Sequence, residues 1–169
     1  MATGMNAYLT TIRDKIYTNS NLCKLLYYDD ENPLSQATIA DTSILYKDKL
    51  NQRLFFTPFT PEAQNIYKST IHVILNDFEL DKRSNFFKRF NIDFIITVNN
   101  SIWELDDGST DIILRTNMII DELIATFDAE RNIGMGKNLF DSSRIFRPNE
   151  YYTGYRYCLQ GFDLPCLAK

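Results

Sequence analysis

Alternating apolar and polar residues predict a β-sheet in the second half of the chain. The period of two, with β-branched and aromatic residues on one side, recurs in three runs, at residues 70–78, 92–98 and 152–162, and residues 139–146 are a further β-like run. In the second run Ile92, Phe94 and Ile96 belong to the apolar side. The runs at 139–146 and 152–162 are joined by a short connection that contains Arg147–Glu150, which is typical of a hairpin. Together the runs predict a mostly antiparallel sheet.

A second pattern, with apolar residues at helical spacing, predicts a central helix at Asp111–Phe127. Its apolar face comprises Ile112, Ile113, Ile119, Ile120, Leu123, Ile124 and Phe127. Acidic and hydroxyl residues from Asp106 to Asp111 favour a helix start there, and Arg115 is expected on the solvent side. Because one helix cannot offset its own ordering cost, it must pack on the sheet. The predicted fold class is α+β, a mostly antiparallel β-sheet packed against a central amphipathic helix.

The N-terminal half is predicted to hold a helical segment followed by a long arm. Residues 7–28 are helical in pattern, with a break near Asn19–Asn21 and Ser20 or Asn21 as the cap of the second piece. Residues 34–61 show poor periodicity, with a short helix expected around 44–50 and a short strand at 53–56. An arm of this length is either mobile or docked on a neighbour, and its clustered aromatic residues favour docking. At 169 residues the chain is expected to be one domain, with the sheet and central helix within 66–163.

Charge and composition narrow the classes of partner. The 22 acidic residues exceed the 18 basic ones, for a net charge of −4, which disfavours a protein that grips nucleic acid phosphates. Aromatic residues make up 14% of the chain and suit interfaces as well as cores. The N-terminus lacks the pattern of a signal peptide, and no apolar run approaches the length of a membrane span, so we expect a soluble protein.

The sequence carries no recognisable catalytic, cofactor or metal motif. Three cysteines without CxxC spacing and a single histidine, His72, do not make a zinc site. Gly134–Lys137 looks like a phosphate loop, but it follows a helix and precedes a strand, the reverse of the required order, and is predicted to be a turn. The acids Asp29–Glu31 lack calcium-loop spacing and are predicted to form a solvated turn. We therefore predict no enzyme activity and no cofactor, although a dispersed site stays open as an alternative.

Arginines mixed with tyrosines in the last two strands point to an interaction surface. This composition serves either stacking on single-stranded nucleic acid or anchoring at a protein interface. Because the chain is acidic overall, the protein partner is the favoured interpretation. The candidate protein–protein interface combines the arm and the hairpin and consists of Phe55, Phe56, Phe59, Arg144, Arg147, Tyr151 and Tyr152.

The order of these features resembles the small neck and tail-terminator proteins, which join head to tail, of tailed bacteriophages. The resemblance spans most of the chain and rests on short pieces in sequence: Leu25–Tyr28, Asn32–Ser35, Arg53–Pro58, Trp103–Leu105 before Asp107–Gly108, Ile133–Lys137, and Tyr152–Tyr155 ahead of Phe162–Asp163.

The resemblance implies a non-enzymatic virion protein that forms a ring, commonly of six copies, at the head–tail junction or on the last ring of the tail. Such a protein is made in the host cytoplasm, contacts connector, neck and tail-tube or sheath proteins, and lets genomic DNA pass through its lumen without sequence-specific binding. A negative lumen would not retain DNA, and an arm could wrap a neighbouring subunit. The alternative is a regulatory module, phage or bacterial, that binds a protein partner.

Overall fold

The computed structural model describes residues 5–57, 69–80, 88–127 and 138–163, and its helical layer comes from both halves of the chain. The α-helices are α1 (Met5–Thr18), α2 (Ser20–Tyr27), α3 (Ile44–Lys47) and α4 (Arg115–Phe127). Short 3-10 helices lie at Pro33–Ser35 and Asn100–Ile102. None of the helices in the described ranges is long and apolar enough to cross a membrane.

The strands form one large sheet and one small ladder. They are β1 (Leu54–Phe55), β2 (Ser69–Leu80), β3 (Lys88–Asn99), β4 (Glu104–Leu105), β5 (Ile113–Leu114), β6 (Asn138–Phe146) and β7 (Tyr152–Asp163). The large sheet has the order β1-β2-β3-β7-β6, antiparallel except for the β1–β2 pair, and β4 pairs with β5. The α+β class and the predicted hairpin are confirmed.

The core lies between the helical layer and one face of the sheet. Ile92, Phe94 and Ile96 are fully buried on that face, as the alternation predicted, and Leu123 and Phe127 of α4 are fully buried as well. The rings of Phe94 and Phe127 lie with centroids 5.2 Å apart. On β3 the opposite face is buried as well, since Asp93 and Thr97 of the same strand are at most 1% exposed.

The central helix begins at Arg115 rather than at Asp111, so the predicted start was wrong. Ile112 is 86% exposed and Ile113 lies in β5. The acidic and hydroxyl residues turn the chain instead of capping a helix: the Asp106 carboxylate accepts from the Gly108 N–H at 2.8 Å, and the Asp107 carboxylate from the Ser109 N–H at 2.9 Å. Side chains of these types serve both helix caps and turns, and here the turns prevail.

Arg115, expected on the solvent side, is fully buried. Its Nε donates to the Ile102 carbonyl at 3.0 Å, and Nη1 donates to the carbonyls of Leu25 at 3.0 Å and Tyr28 at 2.6 Å. Nη2 donates to the Asp30 carbonyl. One guanidinium therefore ties the end of α2, the following turn and the segment after β3 to the first residue of α4.

The break in the N-terminal helix is confirmed, but its cap is neither Ser20 nor Asn21. Asn19 lies between α1 and α2, and its Oδ1 accepts from the Leu22 N–H at 2.9 Å. The Nδ2 of Asn19 donates to the carboxylate of Glu122 on α4 at 2.9 Å. The cap thus also joins α2 to the central helix.

The described part of the arm packs on its own domain, and its docking on a neighbour stays a prediction. Leu45 and Leu54 are fully buried, and the predicted strand is present as β1, parallel to β2. Arg53 is 5% exposed, donates to the Leu26 carbonyl at 3.0 Å and pairs with Asp29 at 3.4 Å. Apolar side chains spaced along the arm provide enough burial to order it within the monomer. The rest of the arm and the predicted turn at Gly134–Lys137 lie outside the described residues.

Burial makes Cys23 a testable marker of the folded state. Its thiol donates to the Ile16 carbonyl at 3.3 Å, and burial raises its pKa from 9.0 to about 12. The thiolate is the reactive form, so we expect iodoacetamide to alkylate native Cys23 at pH 8 about a thousandfold more slowly than the unfolded chain. Peptide mass spectrometry of the Cys23 peptide, with and without guanidinium, measures this ratio. Equal rates in the two conditions would contradict the expectation.

Candidate interaction surface

The structure divides the predicted interface between the two opposite edges of the sheet. Phe55 lies in β1, at one edge, and Phe56 directly follows it. Arg144 lies in β6, at the other edge, and Arg147 and Tyr151 lie in the turn that joins β6 to β7. Within one copy, therefore, the two halves of the predicted interface do not meet.

The β1 edge is aromatic and half-buried. The ring of Phe55 stacks on His72 with centroids 4.6 Å apart and an interplanar angle of 11°. Phe56 meets Tyr46 edge to face at 5.6 Å. The third aromatic residue of this group, Phe59, lies outside the described residues. The contacts of Phe55 and Phe56 fix their rings on the domain, which leaves a rigid apolar margin along this edge.

The β6 edge is more exposed and is mixed in character. Ile145 is 64% exposed, and Tyr151, next to the turn, is 62% exposed. Arg144 and Arg147 are exposed as well. Within the described residues β6 is the last strand of the sheet, so the backbone at Ser143–Ile145 has no strand on its outer side. A nine-residue edge carrying an exposed isoleucine is the kind of edge that proteins usually protect unless it receives a partner.

Tyr152 does not belong to an exposed surface. Its side chain is fully buried and the residue is only 2% exposed, so its ring is not available to a partner, and its predicted place in the interface is corrected. Its N–H donates to the Asn149 side chain at 3.1 Å, which helps to hold the β6–β7 turn. A tyrosine on a strand can point to either face, and sequence composition does not distinguish them.

Two arginines meet on the sheet face opposite the helices. Arg144 and Arg156 are direct cross-strand neighbours, an arrangement in which like charges repel. Arg156 pairs with the carboxylate of Asp93, which also accepts from the side chain of Asn76. Asp93 thus offsets the charge of Arg156. The second positive charge, on Arg144, lies at the sheet edge.

His72, expected to be pleat-facing or exposed, is buried on the sheet face opposite the core. It is 1% exposed, and its Nδ1 lies 3.2 Å from the Thr57 carbonyl oxygen. Burial lowers its pKa below the usual 6.5, against a smaller opposite effect of the hydrogen bond to Thr57. The folded protein therefore carries a neutral imidazole near pH 7.

The lowered pKa of His72 predicts an acid-dependent loss of stability. Below pH 6.5 the unfolded chain binds a proton that folded His72 does not, so the free energy of unfolding falls as the pH drops from 6.5 to the folded pKa. The loss is at most about 1.4 kcal/mol per pH unit. Because the chain has a single histidine, comparing urea unfolding of the wild type and His72→Gln between pH 7.5 and 5.5 isolates this contribution. An unchanged pH dependence in the variant would contradict the assignment.

A groove of about 820 Å³ at one end of the sheet was not predicted from the sequence. It lies between the segment that follows β3 and the β6–β7 turn. Asn100 ties the two sides together: its N–H donates to the Tyr151 carbonyl and its Nδ2 to the Glu150 carbonyl, both at 2.8 Å. Trp103 contributes to the lining, and its carbonyl accepts from the Arg115 N–H at 2.9 Å. The groove is therefore built on the same buried arginine that joins the helices.

The groove carries four carboxylates, from Glu31, Glu104, Asp106 and Glu150, and one guanidinium, from Arg147. No salt bridge within the described part of the chain joins Arg147 to any of them. The sequence signal was the run of acids next to the only tryptophan. Glu31 and Glu150 lie far from that run in sequence, so only the fold brings them to the same surface.

The described residues contain no group of three or more histidine, cysteine, aspartate or glutamate side chains placed to hold a metal ion. No three acidic residues of the groove are therefore placed to hold one ion. Cys23 and Cys158 are both buried. The third cysteine, Cys166, lies outside the described residues.

Comparison with known proteins gives one finding. The model of a family described as YomW matches residues 19–160, which include the Asn19 cap, both sheet edges and the whole lining of the groove. No curated protein and no solved structure matches the chain.

Proposed function

The chain belongs to the YomW family, and from this premise we propose that it is a structural protein of a tailed bacteriophage that forms a ring at the neck or the head-proximal end of the tail. The family name associates the chain with bacteriophage. In this role the protein is non-enzymatic, contacts its own copies and other virion proteins, and surrounds the path of the DNA.

The observation that carries the proposal is the position of the interface residues at opposite edges of one sheet. A ring requires a head-to-tail contact, in which one surface of a subunit meets a different surface of the next. Here the aromatic edge at Phe55 and Phe56 and the exposed edge at Arg144 and Ile145 are those two surfaces. In the ring, the β6 edge of each copy then contacts the β1 edge of the next copy.

Strand directions are compatible with such a contact. β1 covers β2 only at Ile71 and His72, so the remainder of β2 has no strand on that side within the described ranges. β2 and β6 run in opposite directions, because β3 and β7 lie between them and every pairing is antiparallel. The β6 strand of one copy can therefore extend the sheet of the next in the antiparallel sense, by main-chain hydrogen bonds.

The net charge of −4 supports the proposed role. An acidic ring lets DNA pass because its walls do not neutralise phosphates, which is the main source of non-specific DNA affinity. Six copies are the expected number for a ring of this kind.

Native mass spectrometry and electron microscopy of the purified protein, with mass spectrometry of intact phage particles, test the proposal. We expect a closed oligomer or, where assembly needs a neighbour, a monomer that is incorporated into particles. A monomer at all concentrations that is also absent from particles would refute the ring and favour the regulatory binding module.

The edge contact is tested by Ile145→Lys, since a lysine on an edge strand opposes strand addition. We expect this variant to weaken ring formation or particle incorporation at least tenfold. Ile112→Lys is the matched control, because Ile112 is 86% exposed and lies outside the five-stranded sheet. Equal assembly of the two variants would reject the edge contact while leaving the ring itself standing.

A further inference from the structure

We infer that the groove beside Trp103 binds a basic segment, rich in lysine or arginine, of another polypeptide. This inference concerns a surface other than the sheet edges and does not depend on ring formation. It begins with charge: the lining has four carboxylates against one guanidinium, and none of the five groups takes part in a salt bridge within the described residues.

The distribution of the carboxylates identifies the shape of the ligand. No three of them are placed to hold a single metal ion. They come from three separate segments that line a groove of about 820 Å³, so they instead match several positive charges carried on an extended chain. Nucleic acid is disfavoured, because its phosphates would meet an excess of negative charge.

Trp103 adds a contact that a basic side chain can use. It is half-buried and lies in the lining next to Glu104 and Asp106. An arginine or lysine placed over an indole gains a cation–π attraction, and its aliphatic stem covers the rest of the ring. An aromatic side chain in a lining rich in acidic residues favours a cationic side chain over a neutral one.

The walls of the groove are fixed before any partner arrives. The Thr153 hydroxyl donates to the Asn100 side chain at 3.0 Å, and the Asp106 N–H donates to the Glu31 carbonyl at 2.9 Å. These bonds join the start of β7, the segment after β3 and the turn after α2. A surface held in this way loses little conformational freedom when a peptide binds, which favours affinity.

Because Trp103 is the only tryptophan, its fluorescence reports directly on the groove. We expect a hexa-arginine peptide, capped at both ends, to change the emission in a saturable way that weakens as salt is added. A hexaglutamate peptide and a 20-base-pair DNA duplex should leave the emission unchanged. No saturable change with hexa-arginine, or a larger change with the duplex, would overturn the inference.

A double variant, Glu104→Gln with Glu150→Gln, separates binding in the groove from general attraction to an acidic protein. We expect it to weaken hexa-arginine binding about tenfold, as the loss of two charge contacts implies. The control, Asp111→Asn with Asp121→Asn, removes the same charge from exposed positions outside the groove and should stay within about twofold of wild type. Circular dichroism checks that both variants are folded.

Two further outcomes would overturn the inference. Equal weakening by the two double variants would mean that the peptide responds only to net charge. Loss of self-association on Glu104→Gln with Glu150→Gln, in a sedimentation experiment without peptide, would mean that the groove receives a second copy of this chain. Ring formation retained in that variant, together with lost peptide binding, supports the inference independently of the proposed ring.

Discussion

Replacing Arg115 with methionine is expected to lower the free energy of unfolding by about 3–5 kcal/mol. The guanidinium is fully buried and donates to four carbonyl oxygens, those of Leu25, Tyr28, Asp30 and Ile102. Methionine has a similar length but no hydrogen-bond donor. The buried carbonyls of Leu25 and Ile102 would therefore lose a hydrogen bond without gaining one to water. Urea unfolding followed by circular dichroism measures the change.

Arg13→Met is the matched control for this prediction. Arg13 lies on α1 and pairs with the exposed carboxylate of Asp14 at 2.7 Å. Surface pairs of this kind contribute little, so the same substitution there should change stability by about 0.5 kcal/mol or less. A similar small change at Arg115 would show that the buried network does not hold the helices together. Arg115→Lys should fall between the two, because an ammonium cannot reach all four carbonyls at once.

The Arg115 network also connects stability to the proposed groove. Arg115 positions the segment after β3 through the Ile102 carbonyl, and its own N–H holds the Trp103 carbonyl. We therefore expect Arg115→Met to alter the fluorescence of Trp103 in the folded protein, even under conditions where the sheet persists. Among the described hydrogen bonds of Arg115 none reaches the edge strand β6, so the groove should be affected before the edge.

The strands could be predicted from the sequence because the signal for a half-buried strand is local. Ile92, Phe94 and Ile96 alternate with residues of the other face, and pairing in the sheet leaves that period unchanged. What alternation could not predict is that Asp93 and Thr97 are buried too. Their burial depends on partners from other strands. Asp93 pairs with Arg156, and the Thr97 hydroxyl lies 2.6 Å from the hydroxyl of Thr70.

The functional surfaces were harder to predict because they are assembled from distant segments. An arginine on a helix is ordinarily solvated, and only the convergence of carbonyls from separate turns makes burial of Arg115 favourable. Residues of the candidate interface were chosen by composition, which identified Arg144, Arg147 and Tyr151 as exposed but did not separate them from buried Tyr152. Glu31 and Glu150 line the same groove although they lie far apart in sequence, and no local sequence pattern predicts that.

Replacing Gly154 with alanine is expected to cost about 3 kcal/mol or more, or to prevent folding, because β3 and β7 approach each other too closely for a side chain. A Cβ at this position would lie 1.7 Å from the Ile96 carbonyl oxygen and 2.9 Å from the Cα of Thr97, both of them backbone atoms. The clash cannot be relieved by a rotamer change, so the two central strands must separate. Because β7 also carries β6, the same shift would disturb the edge proposed to join neighbouring copies.

Gly108 provides the contrasting control. At Gly154 there is no space for a side chain, whereas at Gly108 the backbone conformation favours glycine. An alanine Cβ there would meet nothing within 4 Å, but the backbone has a φ of +81°. Gly108→Ala should therefore cost only about 1 kcal/mol of backbone strain, and Gly108→Asn less, since asparagine tolerates positive φ. Urea midpoints of the three variants measure the order, in which we expect Gly108→Asn to be the most stable and Gly154→Ala the least. A soluble Gly154→Ala protein as stable as Gly108→Ala would show that β3 and β7 can separate without loss of stability. It would contradict the steric explanation for Gly154.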